Sequence, residues 1–440
     1  MKVIYYTAAT ITVEVDGKKI LCDPWLYPGA FYNSWYQYPP FTFDSTEFDD
    51  IDYIYISHTH EDHLCKQSLD SLRKDIPVLI AKFKSPFMKR IIERQGFKTI
   101  EVEHGKKFDL TDKAHFKVFL AEECSPSHEG KQTAIDTFCL INDGDKTFLN
   151  TNDNFIENIG DELSKIKKEY GSIDFLANVY TSASCYPQTT FFSDQNDLIK
   201  EKNRVKSWCY DRSASLIKLL NPKFYMPFAG HYLLAGKLSI LNKNKANTCP
   251  YEAKQYFEKT YPYMLKDNTC IVLNRGEFFD LDKETQSKEY IHYDEKEKEK
   301  YINEVLSKVV FSYEKEPMPS KKEILLEVIS LIDRAYSRME KNRQRLNFST
   351  DTDVLISVND EACIKVSMNG TGCSLQPKKE CLKSKNYVML EMDTRLLLNI
   401  LKGPRYAHWD NADTGSHISY TKKPNIFEKG IYHTICFFHS

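Results

Sequence analysis

Four side chains that can bind a metal ion lie within six consecutive positions of this sequence: His58, His60, Asp62 and His63. They follow an apolar run at residues 53–56, which predicts a buried strand that ends at the cluster. Imidazole suits zinc, iron, copper or nickel, and a carboxylate adds a hard anionic ligand. Because so many crowded titratable groups would repel each other or stay unsatisfied without a cation, the spacing predicts a metal centre. The second half of the cluster lies one step further along the chain, where a second ion could bind.

The segment 58–63 reads His-Thr-His-Glu-Asp-His and resembles the His-x-His-x-Asp-His signature of the metallo-β-lactamase superfamily. The resemblance implies two divalent ions, with zinc first and iron or manganese as alternatives. One ion would be held by the first two histidines and a third residue, and the other by the last two residues of the motif and a distant histidine. The implied ligands, apart from the open third residue, are His58, His60, Asp62, His63, Asp153 and His231.

The resemblance also implies a catalytic role for two of these residues. Asp153 follows a predicted strand at the position of the family's aspartate that bridges both metals. Asp62 corresponds to an aspartate that acts as a base in some relatives. His231 follows another predicted strand, where the family places its last histidine.

The third residue on the first ion is left open between two chemistries. Most hydrolases of the superfamily place a histidine after the strand that here ends near Ala121. His128 could reach back to that position and give a nitrogen-rich hydrolase site. Glu122 or Glu123 lies closer to the strand end, and a carboxylate there would resemble the di-iron, oxygen-activating members.

The amino-acid composition limits the classes of molecule that this protein is expected to bind. The 440 residues carry a formal net charge of −2, with 60 lysines and arginines against 62 aspartates and glutamates. This balance shows no electrostatic footprint for nucleic acid, so we expect a small-molecule substrate. No apolar run approaches the ~20 residues needed to span a bilayer, and the first residues lack a signal-peptide pattern. The 12 cysteines form no Cys-x-x-Cys pair, so we expect a reducing, cytoplasmic location.

The order of predicted elements places the motif in a layered fold. Strands alternate with helices after the motif and then give way to strands again, which predicts the α+β class and an αββα two-sheet sandwich. We expect a metallo-β-lactamase-like catalytic domain at 1–275, a charged helical connector at 276–348 and an accessory α+β domain at 349–440. Segment 408–413 could form a lid over the site, but an internal polar turn is the favoured interpretation.

Candidates for substrate binding lie outside the motif. An aromatic loop at 26–41 could stack a base, sugar or acyl group, or it could pack on its own rings. Arginine suits bidentate contact with phosphate or carboxylate. The substrate-binding candidates are Trp25, Tyr36, Tyr180 and Arg204. For the helix that carries the arginine, an exposed face is the simpler interpretation.

Four short segments carry a second resemblance, to the metallo-β-lactamase-like half of CMP-N-acetylneuraminate hydroxylase and its bacterial relatives. They are Asp-Pro-Trp at 23–25, Asn-Thr-Asn-Asp at 150–153, and the turns at 183–187 and 227–230. Those hydroxylases carry a Rieske iron–sulfur domain, which needs paired cysteines and histidines at close spacing. This sequence has no Cys-x-His together with a Cys-x-x-His.

The leading prediction is a dinuclear metal-dependent hydrolase that attacks a small anionic substrate, linked to phosphate, nucleotide or sugar, with metal-bound hydroxide. The alternative is a di-iron, oxygen-dependent hydroxylase of a nucleotide-sugar or carrier-linked substrate. Only the alternative requires an electron donor as a partner. A metal-stabilised binding protein is the weakest hypothesis, because the implied ligand set leaves a bridging position open.

Overall fold

The computed structural model describes residues 1–42, 44–121, 136–262 and 267–440. Its strands, in chain order, are β1 (Lys2–Thr7), β2 (Thr10–Val15), β3 (Lys18–Cys22), β4 (Trp35–Tyr36), β5 (Tyr53–Tyr55), β6 (Val78–Ala81), β7 (Thr99–Val102), β8 (Phe108–Asp109), β9 (His115–Leu120), β10 (Thr137–Asn142), β11 (Thr147–Asn150), β12 (Phe175–Val179), β13 (Phe224–Phe228), β14 (Leu233–Leu234), β15 (Thr269–Cys270), β16 (Phe278–Asp280), β17 (Thr285–Gln286), β18 (Asp353–Ser357), β19 (Ala362–Ser367), β20 (Gly372–Pro377), β21 (Tyr387–Glu391) and β22 (Ser419–Lys423). Its α-helices are α1 (Ala30–Asn33), α2 (Lys66–Ser71), α3 (Phe87–Arg94), α4 (Ile156–Tyr170), α5 (Gln195–Leu220), α6 (Pro250–Thr260), α7 (Glu295–Glu304), α8 (Lys321–Arg345), α9 (Lys378–Cys381), α10 (Thr394–Lys402), α11 (Trp409–Thr414) and α12 (Lys429–Ile435).

The hairpin β2–β3 shows how local sequence starts the first sheet. Val15 pairs with Lys18, so Asp16 and Gly17 are the two turn residues. Both have positive φ, 45° and 76°, which is the conformation that a tight two-residue hairpin requires. Asp16 and Gly17 therefore form the tight turn of this hairpin.

Two sheets pack face to face in the amino-terminal part. The first has the strand order β17-β16-β1-β2-β3-β5-β6-β7 and the second the order β15-β13-β12-β11-β10-β9-β8. Their facing sides bury a shared core that includes Val13, Tyr55 and Phe148. The outer side of the first sheet packs on α2 and α3, and that of the second on α4, α5 and α6. The predicted αββα sandwich is confirmed, and β16 shows that its first sheet continues past residue 275.

The carboxy-terminal part forms a second core on a sheet of its own. This sheet has the order β20-β19-β18-β21-β22, and Val328, Leu397, Trp409 and Ile435 bring α8, α10, α11 and α12 onto it. Helix α8 begins with a capping box at Ser320 and Glu323 and buries one apolar stripe, as its pattern predicts. The helix predicted within the connector thus packs with the accessory domain. Within the described ranges, no helix has the length and apolar character to cross a membrane.

Candidate metal centre

The ends of two neighbouring strands build the base of the site. Strands β3 and β5 are parallel and adjacent, and Cys22 pairs with Tyr55. Because both strands end at the same edge, Asp23 lies beside Ser57, the residue before the motif. The second sheet holds this edge in place, because Thr137 Oγ1 on β10 donates a hydrogen bond to the Ser57 carbonyl at 2.8 Å.

Asp23 is the hub of a buried polar network. Its carboxylate accepts hydrogen bonds from the Ser57 backbone N–H at 2.7 Å, the Ser57 hydroxyl at 2.7 Å and Asn152 Nδ2 at 2.6 Å. It also accepts from His63 Nδ1 at 3.0 Å. A carboxylate that holds one ring nitrogen of a histidine fixes the tautomer and leaves the other nitrogen for a metal. Asp23 therefore orients His63 with its Nε2 free.

The first two motif histidines face each other. Ser57 Oγ lies 2.9 Å from His58 Nδ1, which leaves His58 Nε2 to point at His60 Nδ1, also 2.9 Å away. Ligand atoms of His58, His60 and Asp153 all lie within 4.8 Å of one another. Two imidazole nitrogens and a carboxylate at this spacing could hold one metal ion.

Asp153 lies between the two halves of the motif. Its Oδ2 is 3.9 Å from His58 Nε2 and 3.4 Å from His63 Nε2. Asp62 Oδ2 lies on the far side, 3.6 Å from His63 Nε2. This arrangement suits a carboxylate that bridges two ions, with Asp62 and His63 beside the second.

Two further aspartates, neither of them among the predicted site residues, reach the cluster. Asp136 Oδ1 is 3.6 Å from His58 Nε2. Asp410 Oδ2 is 3.0 Å from His60 Nε2 and comes from α11, 350 positions away in the chain. Asp410 holds His60 as Asp23 holds His63, so that His60 Nδ1 faces the cluster.

Segment 408–413 is therefore not an internal polar turn, and that interpretation is wrong. Most of this segment forms helix α11, and Asp410 on that helix contacts His60 of the motif. Asn411 Nδ2 donates to Glu61 Oε1 at 2.8 Å, and His417 Nε2 lies 2.8 Å from the Phe31 carbonyl in the aromatic loop. The accessory domain thus closes one side of the site.

The charges of the cluster depend on each other. Burial and the neighbouring histidines lower the pKa of His58 well below its ordinary value, which keeps a ring nitrogen available for a metal. Burial opposes charge on His63, but the carboxylates of Asp153, Asp62 and Asp23 outweigh it and raise its pKa well above the usual range. Asp410 likewise outweighs burial and raises the pKa of His60 to about 9.

The carboxylates next to these histidines respond in opposite directions. Burial raises the pKa of Asp62, with Asp153 adding to it. For Asp153, the attraction of His63 outweighs burial and lowers the pKa. The raised pKa values of His60 and His63 favour protons that offset the negative charge of the buried carboxylates. Bound metal cations could replace those protons.

Other predicted ligands lie away from these contacts or outside the described residues. The ring of His231 stacks on Tyr293, with 6.1 Å between centroids. Burial and the charge of Lys245 lower its pKa to about 3. Its predicted metal contact stays a prediction. The open third ligand, Glu122, Glu123 or His128, lies outside the described residues.

The predicted substrate contacts are dispersed. Trp25 is fully buried in a cluster of the aromatic loop, and the Tyr36 hydroxyl donates to Asn33 Oδ1 at 2.9 Å. The buried Tyr180 donates to the Thr248 carbonyl at 2.7 Å. Within the loop, Phe31 packs edge-on against Trp35 with 4.7 Å between ring centroids. Trp35 also stacks on Tyr232, outside the loop, with 3.4 Å between centroids.

Arg204 lies on α5, away from that loop. Its Nε and Nη2 donate to Glu201 at 2.8 and 2.6 Å. The substrate-binding assignments of all four residues stay predictions.

Comparison with known proteins gives a family match in the first part of the chain. Residues 2–138 match the family model described as the Beta-lactamase superfamily domain. These residues are thus similar to the metallo-β-lactamase superfamily, as the motif implies. This superfamily includes both metal-dependent hydrolases and diiron hydroxylases.

Two of the similar curated proteins are named for an iron–sulfur centre and for a hydroxylase. A Mycobacterium tuberculosis protein named for a Rieske 2Fe-2S centre is 28% identical over 254 residues, which cover 55% of this chain and 46% of that protein. The cytidine monophosphate-N-acetylneuraminic acid hydroxylase of Xenopus laevis is 26% identical over 244 residues, which cover 53% and 38%. The chain thus spans less than half the length of these curated relatives.

Among solved structures, the diiron β-hydroxylase CmlA of Streptomyces venezuelae aligns with a TM-score of 0.41 and 18% identity, over 62% of this chain and 52% of that one.

Proposed function

We propose that this chain is an iron-dependent hydroxylase that uses O2 to oxidise a small anionic substrate of the nucleotide-sugar or carrier-linked class. The observation that carries the proposal is the donor set of His58, His60 and Asp153, whose ligand atoms lie within 4.8 Å of one another. Two histidines and one carboxylate with open positions are typical of non-haem iron oxygenases.

The wider donor set fits a hard, redox-active metal as well. Asp62, Asp136 and Asp153 all approach the histidine nitrogens at 3.4 to 3.9 Å. Oxygen-rich surroundings suit iron or manganese, whereas zinc sites use mainly nitrogen and sulfur. The named activity of the Xenopus relative, a hydroxylase, points in the same direction.

Each residue has a defined part in this proposal. His58, His60 and Asp153 would hold one ion, and His63 and Asp62 the other, with Asp153 between them. Asp23, Ser57 and Asp410 hold the three imidazoles in orientation. Acting as a base is the alternative role of Asp62, whose pKa burial raises. When bound, iron would supply the activation of O2.

Electron supply follows from the stoichiometry. Hydroxylation places one oxygen atom of O2 in a C–H bond and reduces the other to water, which requires two electrons and two protons. The sequence has no Rieske pattern of paired cysteines and histidines. A separate electron donor is therefore part of the proposal.

The test is metal binding and oxygen consumption in protein purified anaerobically and loaded with ferrous iron. We expect iron at both halves of the cluster and O2 uptake after addition of a chemical reductant. Asp153→Ala should lose both, whereas Asp145→Ala, at a side chain that is 87% exposed, should lose neither. Preferential retention of zinc without any O2 uptake would overturn the proposal.

Hydrolysis, the leading prediction from sequence, is the second candidate. It is favoured by the superfamily match, which covers hydrolases as well, and by the position of Asp153 between two imidazoles, which suits a two-zinc centre. Under argon, a hydrolase should cleave a panel of phosphate and carboxylate esters with zinc loaded, whereas a hydroxylase should be inactive in the same assay.

A further inference from the structure

A cavity of about 960 Å³ lies between the amino-terminal part and the carboxy-terminal domain. Its volume is within the range of sites that hold small organic molecules. One wall comes from the turn after β12 and from α5, and the other from α11, β22 and α12. Its chemically important lining residues are Tyr186, Arg204, Asp413, Tyr420, Lys422 and Tyr432.

Most charged groups in this cavity are already paired. Arg204 donates twice to Glu201, and Lys200 lies 3.3 Å from Asp197. The positive charges of Arg204 and Lys200 are therefore balanced by neighbouring carboxylates.

The acid on the opposite wall is also engaged. Asp413 Oδ1 accepts from the Tyr420 hydroxyl at 2.6 Å and from Cys185 Sγ at 2.9 Å. Burial raises the pKa of Asp413, which favours its neutral form. The cavity therefore has little negative charge left to offer a cation.

Lys422 has no such partner among the described residues. Its ammonium lies over the rings of Tyr186, Phe427 and Tyr432, at 5.3, 5.7 and 5.7 Å from their centroids. In the described part of the chain, no carboxylate lies within ion-pair distance of it. Burial lowers the pKa of Lys422, as expected for an ammonium with incomplete compensation. Three rings around one unpaired cation form a surface that suits a planar anion.

We propose that this cavity binds an organic anion that combines a planar ring with a phosphate, phosphonate or carboxylate group. Lys422 binds the anionic group, and Tyr186, Phe427 and Tyr432 pack against the ring. Arg204 and the Tyr186 hydroxyl both donate to Glu201 on this wall, at 2.6 and 2.7 Å. The proposal goes beyond hydroxylation and is independent of it, because it concerns binding alone.

The cavity adjoins the metal centre through one helix. Asp413 lines the cavity, and Asp410 on the same helix contacts His60. Positions three apart on a helix lie on one face, about 5–6 Å between their Cβ atoms. A ligand bound at Lys422 therefore lies next to the helix that orients His60.

Phenylphosphonate is a suitable probe, since its P–C bond resists hydrolysis. Calorimetric titration of the metal-loaded full chain should show binding. Methylphosphonate, which lacks the ring, should bind several-fold more weakly, and phenol, which lacks the anion, should not bind measurably.

Variants locate the bound probe. Lys422→Met should weaken phenylphosphonate binding by about tenfold or more, because it removes a charge-assisted contact. Lys422→Arg should retain binding and shows that the cavity still folds. Lys200→Met, at a rim lysine whose side chain is 77% exposed, should stay within about twofold of the original affinity.

Asp153→Ala separates this cavity from the metal centre, where a phosphonate could also bind. We expect this variant to keep its affinity for phenylphosphonate. Loss of binding in Asp153→Ala with normal binding in Lys422→Met would overturn the proposal. So would absence of any binding at millimolar phenylphosphonate.

Discussion

The histidines of the metal centre are oriented from two different parts of the molecule. His58 and His63 are held within the amino-terminal domain, by Ser57 and Asp23 at the ends of adjacent strands. His60 is held by Asp410, which the carboxy-terminal domain supplies. His58 and His63 are therefore oriented once the sandwich has folded, whereas the orientation of His60 needs the two domains to be docked.

The two supporting carboxylates also differ in environment. The Asp23 side chain is 0% exposed and accepts four hydrogen bonds, whereas Asp410 is 39% exposed. A buried carboxylate whose donors would be left unpaired supports both the fold and the site. A partly exposed carboxylate can control the site with little effect on the fold. Changes at the two positions should separate stability from metal affinity.

The largest effect is expected from Asp23→Ala. The substitution leaves the Ser57, His63 and Asn152 donors without their acceptor, so we expect a loss of about 3–5 kcal/mol in the free energy of unfolding. His63 should also lose its orientation, and metal binding should fall sharply. Denaturant unfolding and metal titration measure the two effects. A change below about 1 kcal/mol would contradict the role of Asp23 as the hub.

Asp410→Ala should affect metal binding more than stability. Loss of a carboxylate that orients a ligand histidine typically lowers metal affinity about 10–100-fold, and we expect the unfolding free energy to change by less than about 1 kcal/mol. Competition with a chelator gives the affinity. Asn411→Ala is the matched control, because it removes a bond from the same helix to Glu61 without touching His60. Equal losses in both variants would mean that helix docking matters, and not the Asp410 carboxylate.

A smaller effect concerns docking itself. Lys237 of the amino-terminal part lies 2.9 Å from Glu314 and 3.3 Å from Asp393 of the carboxy-terminal part. Burial opposes charge on both acids, but hydrogen bonds and the positive charges outweigh it and lower both pKa values. Acids with lowered pKa values stabilise the fold above their unfolded values, about 4, and lose this contribution as the pH falls.

Lys237→Met should therefore cost less than about 1 kcal/mol of unfolding free energy at neutral pH. The difference from the unchanged protein should shrink as the pH falls below about 4. Denaturant unfolding at several pH values checks this, and metal affinity at neutral pH should not change. A difference that grows on acidification would have the wrong sign for this ion pair.

The sequence predicts the site residues of the amino-terminal domain much better than the one that the carboxy-terminal domain supplies. The motif at 58–63 places His58 and His63 at the end of β5. The family resemblance, and not strand position, indicates Asp153, because β11 lies in the other sheet. Asp23 could also have been found, since it ends the strand next to the motif strand. No local pattern indicates Asp410, because its position depends on docking of two separately folded cores. Lys422 went unnoticed for the same reason.

The most direct test is a crystal structure of the iron-loaded protein with anomalous data collected at the iron edge. We predict one iron bonded to His60 Nδ1, with His60 Nε2 still donating to Asp410. An iron on His60 Nε2 with Asp410 displaced, or a metal centre that excludes His60, would contradict a centre completed by the carboxy-terminal domain.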